Sequence, residues 1–244
     1  MPPRPDISAL QDLRARIARL EGRGVAAHGH LPFGLPALDD HLPQGGLALG
    51  CLHEVAGRRS ADNAVAAAFI AGIAGRLPGH VLWCAPVQDI FAPGLEQAGL
   101  PPGRVIFVNA QDDRDVLACM EEGLRHGGLS TVVAEVESLT MTASRRLHLA
   151  AKGTGTTGMV LWRGAQAEFS TFGQPTAAMT RWCVSALPSA PLPVPGVGRS
   201  RWRIELIRVR GGEPFQIEVE GCDATGHLGL SAPLEDRAED RAAG

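Results

Sequence analysis

Along most of the chain, apolar residues come in short, largely unbroken runs rather than alternating with polar ones. The runs at 51–57 (CLHEVAG), 80–86 (HVLWCAP), 104–110 (RVIFVNA), 130–138 (STVVAEVES) and 156–162 (TTGMVLW) each read as a strand. Between them lie stretches with helical spacing: an alanine-rich segment at 61–76, a short piece at 90–98, a segment at 113–127 with Val116, Leu117, Met120 and Leu124 on one side, and another at 141–152. Strands that are apolar on both faces and separated by helices predict an α/β fold, a mostly parallel sheet flanked by helices.

The pattern changes at both ends. Over residues 7–21, Ile7, Leu10, Leu13, Ile17 and Leu20 recur at three- and four-residue spacing among Asp12, Arg14, Arg16 and Arg19, which predicts an amphipathic helix. The glycine-rich stretch after it breaks the pattern, so residues 1–30 read as an N-terminal helical arm and linker. The stripe Leu10, Leu13, Ile17, Leu20 either folds back on the core or binds a partner. Beyond Trp162, two strand-like runs at 180–187 and 200–210 flank a proline-rich loop. Phe215, Ile217 and Val219 then alternate with Gln216, Glu218 and Glu220, which predicts C-terminal antiparallel strands extending the sheet. The expected core is 31–222, and the polar residues 223–244 are expected to form a disordered tail.

Charge and cysteine usage remove several function classes. The net charge of −3 provides no global basic field toward nucleic acid or membrane. The five cysteines form no C-x-x-C pair, and the histidines of His28-Gly29-His30 have no cysteine or carboxylate cluster beside them, so no metal site is expected. The longest apolar run, around 64–73, falls well short of the ~20 residues that cross a bilayer. No apolar signal core opens the chain, so a cytoplasmic protein without membrane contact is expected.

The first strand ends at Gly57 and the next helix follows directly, which is the setting of a phosphate-binding loop, G-x-x-x-x-G-K-[ST]. The chemistry of such a loop is absent. Where the second glycine, the lysine and the hydroxyl residue belong, the chain has Asp62, Asn63 and Ala64. Asp62 restores a Cβ and places a carboxylate in the first helical turn, where a phosphate would sit, worth ~0.3–1 kcal/mol to the helix. Arg58 and Arg59 sit at the wrong offset to replace the lysine, and the chain's only lysine is Lys152. An acid for metal contact is present as Glu135 at the end of the fourth strand, but Ala85 and Pro86 stand where a water-orienting carboxylate is expected. Gly57, Arg58, Arg59, Ser60, Asp62, Asn63 and Glu135 therefore outline a degenerate nucleotide site, for which no catalytic residue and no cofactor is expected.

The order of elements resembles RecA. The lead-in FGLPALDDHLPQGGLALGCLHEVAG has the Leu38-Asp39 pair and the double glycine Gly45-Gly46 of RecA-type ATPases, and FGQPTAAMTRW is similar to the segment leading into RecA's second DNA loop. Both DNA-facing loops look shortened. Within that superfamily, with RWRIELIRVRGGEPFQIEVE as the most telling stretch, residues 31–220 resemble the ImuA family, also described as SulA-like. The resemblance implies a RecA-like core and a non-catalytic accessory role in SOS-inducible, error-prone translesion synthesis. Its implied partners are an ImuB-type polymerase-like protein and an alternative replicative DNA polymerase, with contact to RecA left open. A residual ATPase and a SulA-type division inhibitor remain as alternatives.

Two groups of basic residues complete the inventory. Arg145, Arg146 and Lys152 on one helix, with Arg163 after the fifth strand, are candidates for a weak or indirect DNA contact if they share a face. Arg208 and Arg210, just before the Gly211-Gly212 turn, are candidates for a partner-facing patch.

Overall fold

The structure, a computed structural model, describes residues 28–163, 172, 174–189, 196 and 198–230. The amphipathic stripe Leu10, Leu13, Ile17, Leu20 lies outside the described residues.

A two-strand ribbon, β1 (His30–Leu31) and β2 (Leu47–Ala48), brackets a short helix α1 (Pro36–Asp39). The core then runs β3 (Leu52–Gly57), α2 (Asn63–Gly75), β4 (Val81–Ala85), α3 (Ala92–Gln97), β5 (Val105–Asn109), α4 (Asp113–His126), β6 (Thr131–Val136), α5 (Met141–Thr154), β7 (Thr157–Trp162), β8 (Thr180–Leu187), β9 (Arg201–Val209), β10 (Phe215–Glu220) and β11 (Gly229–Leu230). The nine strands form one sheet in the order β11-β10-β9-β8-β3-β7-β6-β4-β5. From β8 to β5 every pair is parallel, and from β8 to β11 every pair is antiparallel.

The apolar runs fold as central strands because both of their faces are covered. On one side Phe69, Ile70 and Ile73 of α2 pack with Val55, Trp83, Val133, Leu161, Trp182 and Ile204. On the other, Val116, Met120 and Leu124 of α4 and Leu147 and Ala151 of α5 pack with Leu52, Ala56, Val132, Ala134, Val160 and Trp162. Side chains alternate along each strand, so Glu135 points to the α2 side and Glu54 to the α4–α5 side. The helix ends follow local chemistry. Asp112 accepts the amide of Asp115 at 2.9 Å to start α4, and Thr140 accepts that of Ala143 at 3.2 Å to start α5. Gly127 (φ 73°) and Gly155 (φ 82°) close the two helices in the left-handed region.

All four tryptophans are core residues. The five cysteines are free thiols, and burial pushes Cys84, Cys183 and Cys222 up to about 12. Among the described residues no His/Cys/Asp/Glu group could hold a metal, and no helix is long and apolar enough to cross a membrane.

The ordered core continues past residue 222, where the sequence reading begins a disordered tail. Asp223 accepts the amides of Thr225 and His227 at 2.8 and 3.1 Å, and the Thr225 hydroxyl bond, the largest cause, helps hold its carboxyl down at about 2. Leu228 is buried, and Gly229–Leu230 pairs with β10. This strand is too short to register as a hydrophobic run.

Candidate functional site

The carboxyl ends of the parallel strands, where α/β folds bind ligands, bring the loop after β3 beside Glu135. Gly57 is the last residue of β3, and the chain returns in a single 3₁₀ turn, Ser60–Asp62, to start α2. The turn is tight enough that a Cβ on Gly57 would sit 2.7 Å from the Asp62 carbonyl carbon and 3.0 Å from Asn63 Oδ1. A glycine is thus sterically required at position 57.

Asp62 is almost fully buried, at 1% exposure. The sequence reading has its carboxylate serve the helix terminus, but the side chain makes no capping bond to α2. It turns instead to the loop and the neighbouring strand. Oδ2 accepts the Arg59 amide at 3.1 Å and lies 3.3 Å from Arg59 Nε, and Oδ1 accepts the Ala186 amide at 3.0 Å. A buried carboxylate needs donors, and these are fixed main-chain donors on β8 and in the loop. Asp62 therefore stitches the loop shut onto β8. Arg58 points the other way and pairs with Glu205 of β9. Asn63, in the lysine's position, leaves its Oδ1 buried and without a partner.

Beside the loop is a cleft of about 420 Å³ whose lining includes Ser60, Asn63, Ala64, Phe91, Glu135 and Arg163. Glu135 is 2% exposed and fully engaged. Its Oε1 accepts the indole N–H of Trp83 at 2.6 Å, and its Oε2 lies 2.8 Å from Arg163 Nη1. Burial holds the Glu135 carboxyl above the usual carboxylate range, opposed by the Trp83 bond and the Arg163 charge. Arg163 also pairs with Asp89, on the loop after β4, and donates to the Val87 carbonyl at 3.4 Å. In a working site of this kind the strand-end acid faces a hydrated cation. Here the positive charge next to that acid is a guanidinium of the chain itself.

Of the nucleotide-site candidates, Ser60, Asn63 and Glu135 line one cleft, while Asp62 turns to β8 and Arg58 to β9. The basic candidates do not come together. Arg163 sits in the cleft, while Arg145, Arg146 and Lys152 are exposed on α5. Arg146 shares Glu121 with Arg125. Arg208 and Arg210 donate to the carbonyls of Thr176 and Ala177 at 3.0 and 3.1 Å.

Sequence reasoning missed the partners Trp83 and Asp89, and it missed a second buried acid. Glu54, fully buried on β3, takes Arg181 Nε at 2.9 Å and the Thr176 hydroxyl. The signal was available, since a glutamate inside an otherwise buried strand requires an internal partner.

Comparison with known proteins adds four findings. A family model described as "Cell division inhibitor SulA" matches residues 74–158, a span that contains Glu135 but starts after the loop. Protein ImuA from two strains of Caulobacter vibrioides, NA1000/CB15N and ATCC 19089/CB 15, is 41% identical over 199 residues, covering 75% of this chain and 80% of each relative. The cell division inhibitor SulA of Serratia proteamaculans is 32% identical over 72 residues, covering 30% of this chain and 43% of that protein. Among solved structures, the RadB recombinase superposes with a TM-score of 0.55 at 15% identity, over 83% of this chain and 100% of the other. The fold is therefore RecA-like.

Proposed function

The chain belongs to the ImuA family, and from that premise we propose that it is a non-catalytic RecA-like accessory of damage-inducible, error-prone DNA synthesis across lesions. It acts as an adaptor for an ImuB-type polymerase-like protein and an alternative replicative DNA polymerase. The observation that carries this reading is the internal use of two carboxylates, one at the loop and one at the strand end. Asp62 is tied to the loop and to β8, and Glu135 is neutralised by Arg163. A triphosphate and its metal would have to displace bonds that already satisfy every buried charge in the cleft, with no lysine or hydroxyl at the motif positions to receive them.

Titration calorimetry with Mg-ATP tests the first half of the proposal. No heat is expected at millimolar nucleotide, and saturable binding would overturn the non-catalytic assignment. Co-purification with the ImuB-type protein tests the second half. Recovery of that partner is expected, and Leu13→Asp or Ile17→Asp is expected to reduce it; unchanged recovery in both variants would remove the arm from the interface. The family-model match over residues 74–158 favours one other reading, inhibition of cell division. Filamentous cells on overexpression would support it, and normal division would exclude it.

A further inference from the structure

The opposite side of the sheet has an electrostatic character that the chain's net charge of −3 hides. Helix α5 is fourteen residues long and contains Arg145, Arg146, His148 and Lys152 but no acidic residue. Its buried stripe is Ser144, Leu147 and Ala151, which leaves Arg145 and Lys152 exposed. They stand two helical turns apart, roughly 10 Å along the axis. The end of β9 is brought next to this helix by the segment before β8. The Ala177 amide donates to Ser144 Oγ of α5 at 3.0 Å, while Arg208 and Arg210 donate to the Thr176 and Ala177 carbonyls.

Four cations on this surface, Arg145, Lys152, Arg208 and Arg210, have no carboxylate partner among the described residues. A carbonyl bond orients a guanidinium without neutralising it, and each of the two arginines uses only one of its several N–H groups this way. His148 reports the local field. Burial first, then the charges of Arg210 and Lys152, push its imidazole down to about 4, and its Nδ1 is buried without a partner.

We propose that α5 and the end of β9 form a binding face for the sugar–phosphate backbone of DNA, with Arg145, Lys152, Arg208 and Arg210 as the phosphate contacts. This transfers Arg208 and Arg210 from a partner-facing patch to the nucleic-acid face. The inference rests on charge placement alone and does not depend on the adaptor role. Phosphodiester backbone fits better than an acidic protein segment because the cations are divided between two elements, α5 and the end of β9, with about 10 Å between the two on α5. Cations without carboxylate partners suit a polyanion, whose binding gains from counterion release.

Fluorescence anisotropy of the full-length chain with labelled single-stranded and duplex DNA, over a salt series starting near 50 mM, tests the face. Saturable binding is expected. Arg145→Glu with Lys152→Glu should weaken it at least ~10-fold and lower the salt slope by about two phosphate contacts. Arg114→Glu, an exposed arginine on α4, should leave binding unchanged. The relative strength of the two probes then assigns the strand form. Because Lys152 is the only lysine, amine acylation read by mass spectrometry gives a second readout, in which bound DNA should protect that single side chain. Absence of binding by the unaltered chain, equal binding by the double variant, or unprotected acylation would overturn the proposal. Displacement by polyglutamate as efficient as by unlabelled DNA would overturn it in favour of an acidic protein segment.

Discussion

The two buried glutamate–arginine pairs are built from the same groups and have opposite settings. Glu54 and Arg181 join β3 to β8 under the α4–α5 side, with side chains 0% and 4% exposed. The buried Thr176 hydroxyl and the carbonyl of exposed Gln174 complete the cluster, so both charged side chains are enclosed by protein. Glu135 and Arg163 face the α2 side at the strand ends, where the arginine is 20% exposed and its second partner, Asp89, is 55% exposed. The first pair is an architectural bolt between two strands. The second closes a cleft that still opens to solvent. Burial raises both glutamates above the usual carboxylate range, so the titration shift alone does not distinguish a bolt from a former ligand site. Access does.

The sharpest break of this comparison is Arg181→Ala. It strands Glu54 in a closed interior and frees the segment at 174–176, and a loss of ~3–5 kcal/mol is expected. Urea denaturation measures it, and Glu54→Gln combined with Arg181→Met should recover most of the loss. Arg163→Ala should cost less, ~1–3 kcal/mol, because Glu135 keeps its Trp83 bond and water can enter from the cleft. Equal losses in the two variants would erase the distinction between bolt and cleft.

A pH dependence underlies both measurements, and the part of it due to His148 is the smallest effect. Burial, the largest cause, lowers His53 and His148 to about 4 from an ordinary value of 6.5. Both stay neutral when folded but take up a proton when unfolded as pH falls below 6.5. Stability is therefore lost progressively from pH 6.5 down to about 4, by at most ~1.4 kcal/mol per pH unit for His53 and less for the partly exposed His148. The raised glutamates act in the opposite direction, favouring the folded state as they protonate. His148→Gln should flatten the denaturation midpoint's decline across this window.

The parallel half of the fold was legible because its strands are buried on both faces and leave continuous apolar runs. The antiparallel hairpin was legible from the alternation at 215–220. The residues that stand at the motif positions of the loop could also be read directly, since they are identities at fixed spacing. What those residues do instead could not. Asp62 finds its donor on Ala186 and Arg163 finds Glu135 through tertiary packing, across separations that no local pattern encodes. For the same reason the sequence places Arg163 only among the candidates for DNA contact.

The guanidinium beside Glu135 also has an evolutionary consequence. Placing a lysine back at position 63 would put a second cation into a cleft that already holds one, and removing Arg163 alone would leave an acid without its counter-charge. Each of these two changes is unfavourable unless the other comes with it. Such mutual dependence acts as a ratchet: with the guanidinium in the cleft, single substitutions there are opposed, and only coupled ones leave its charges balanced.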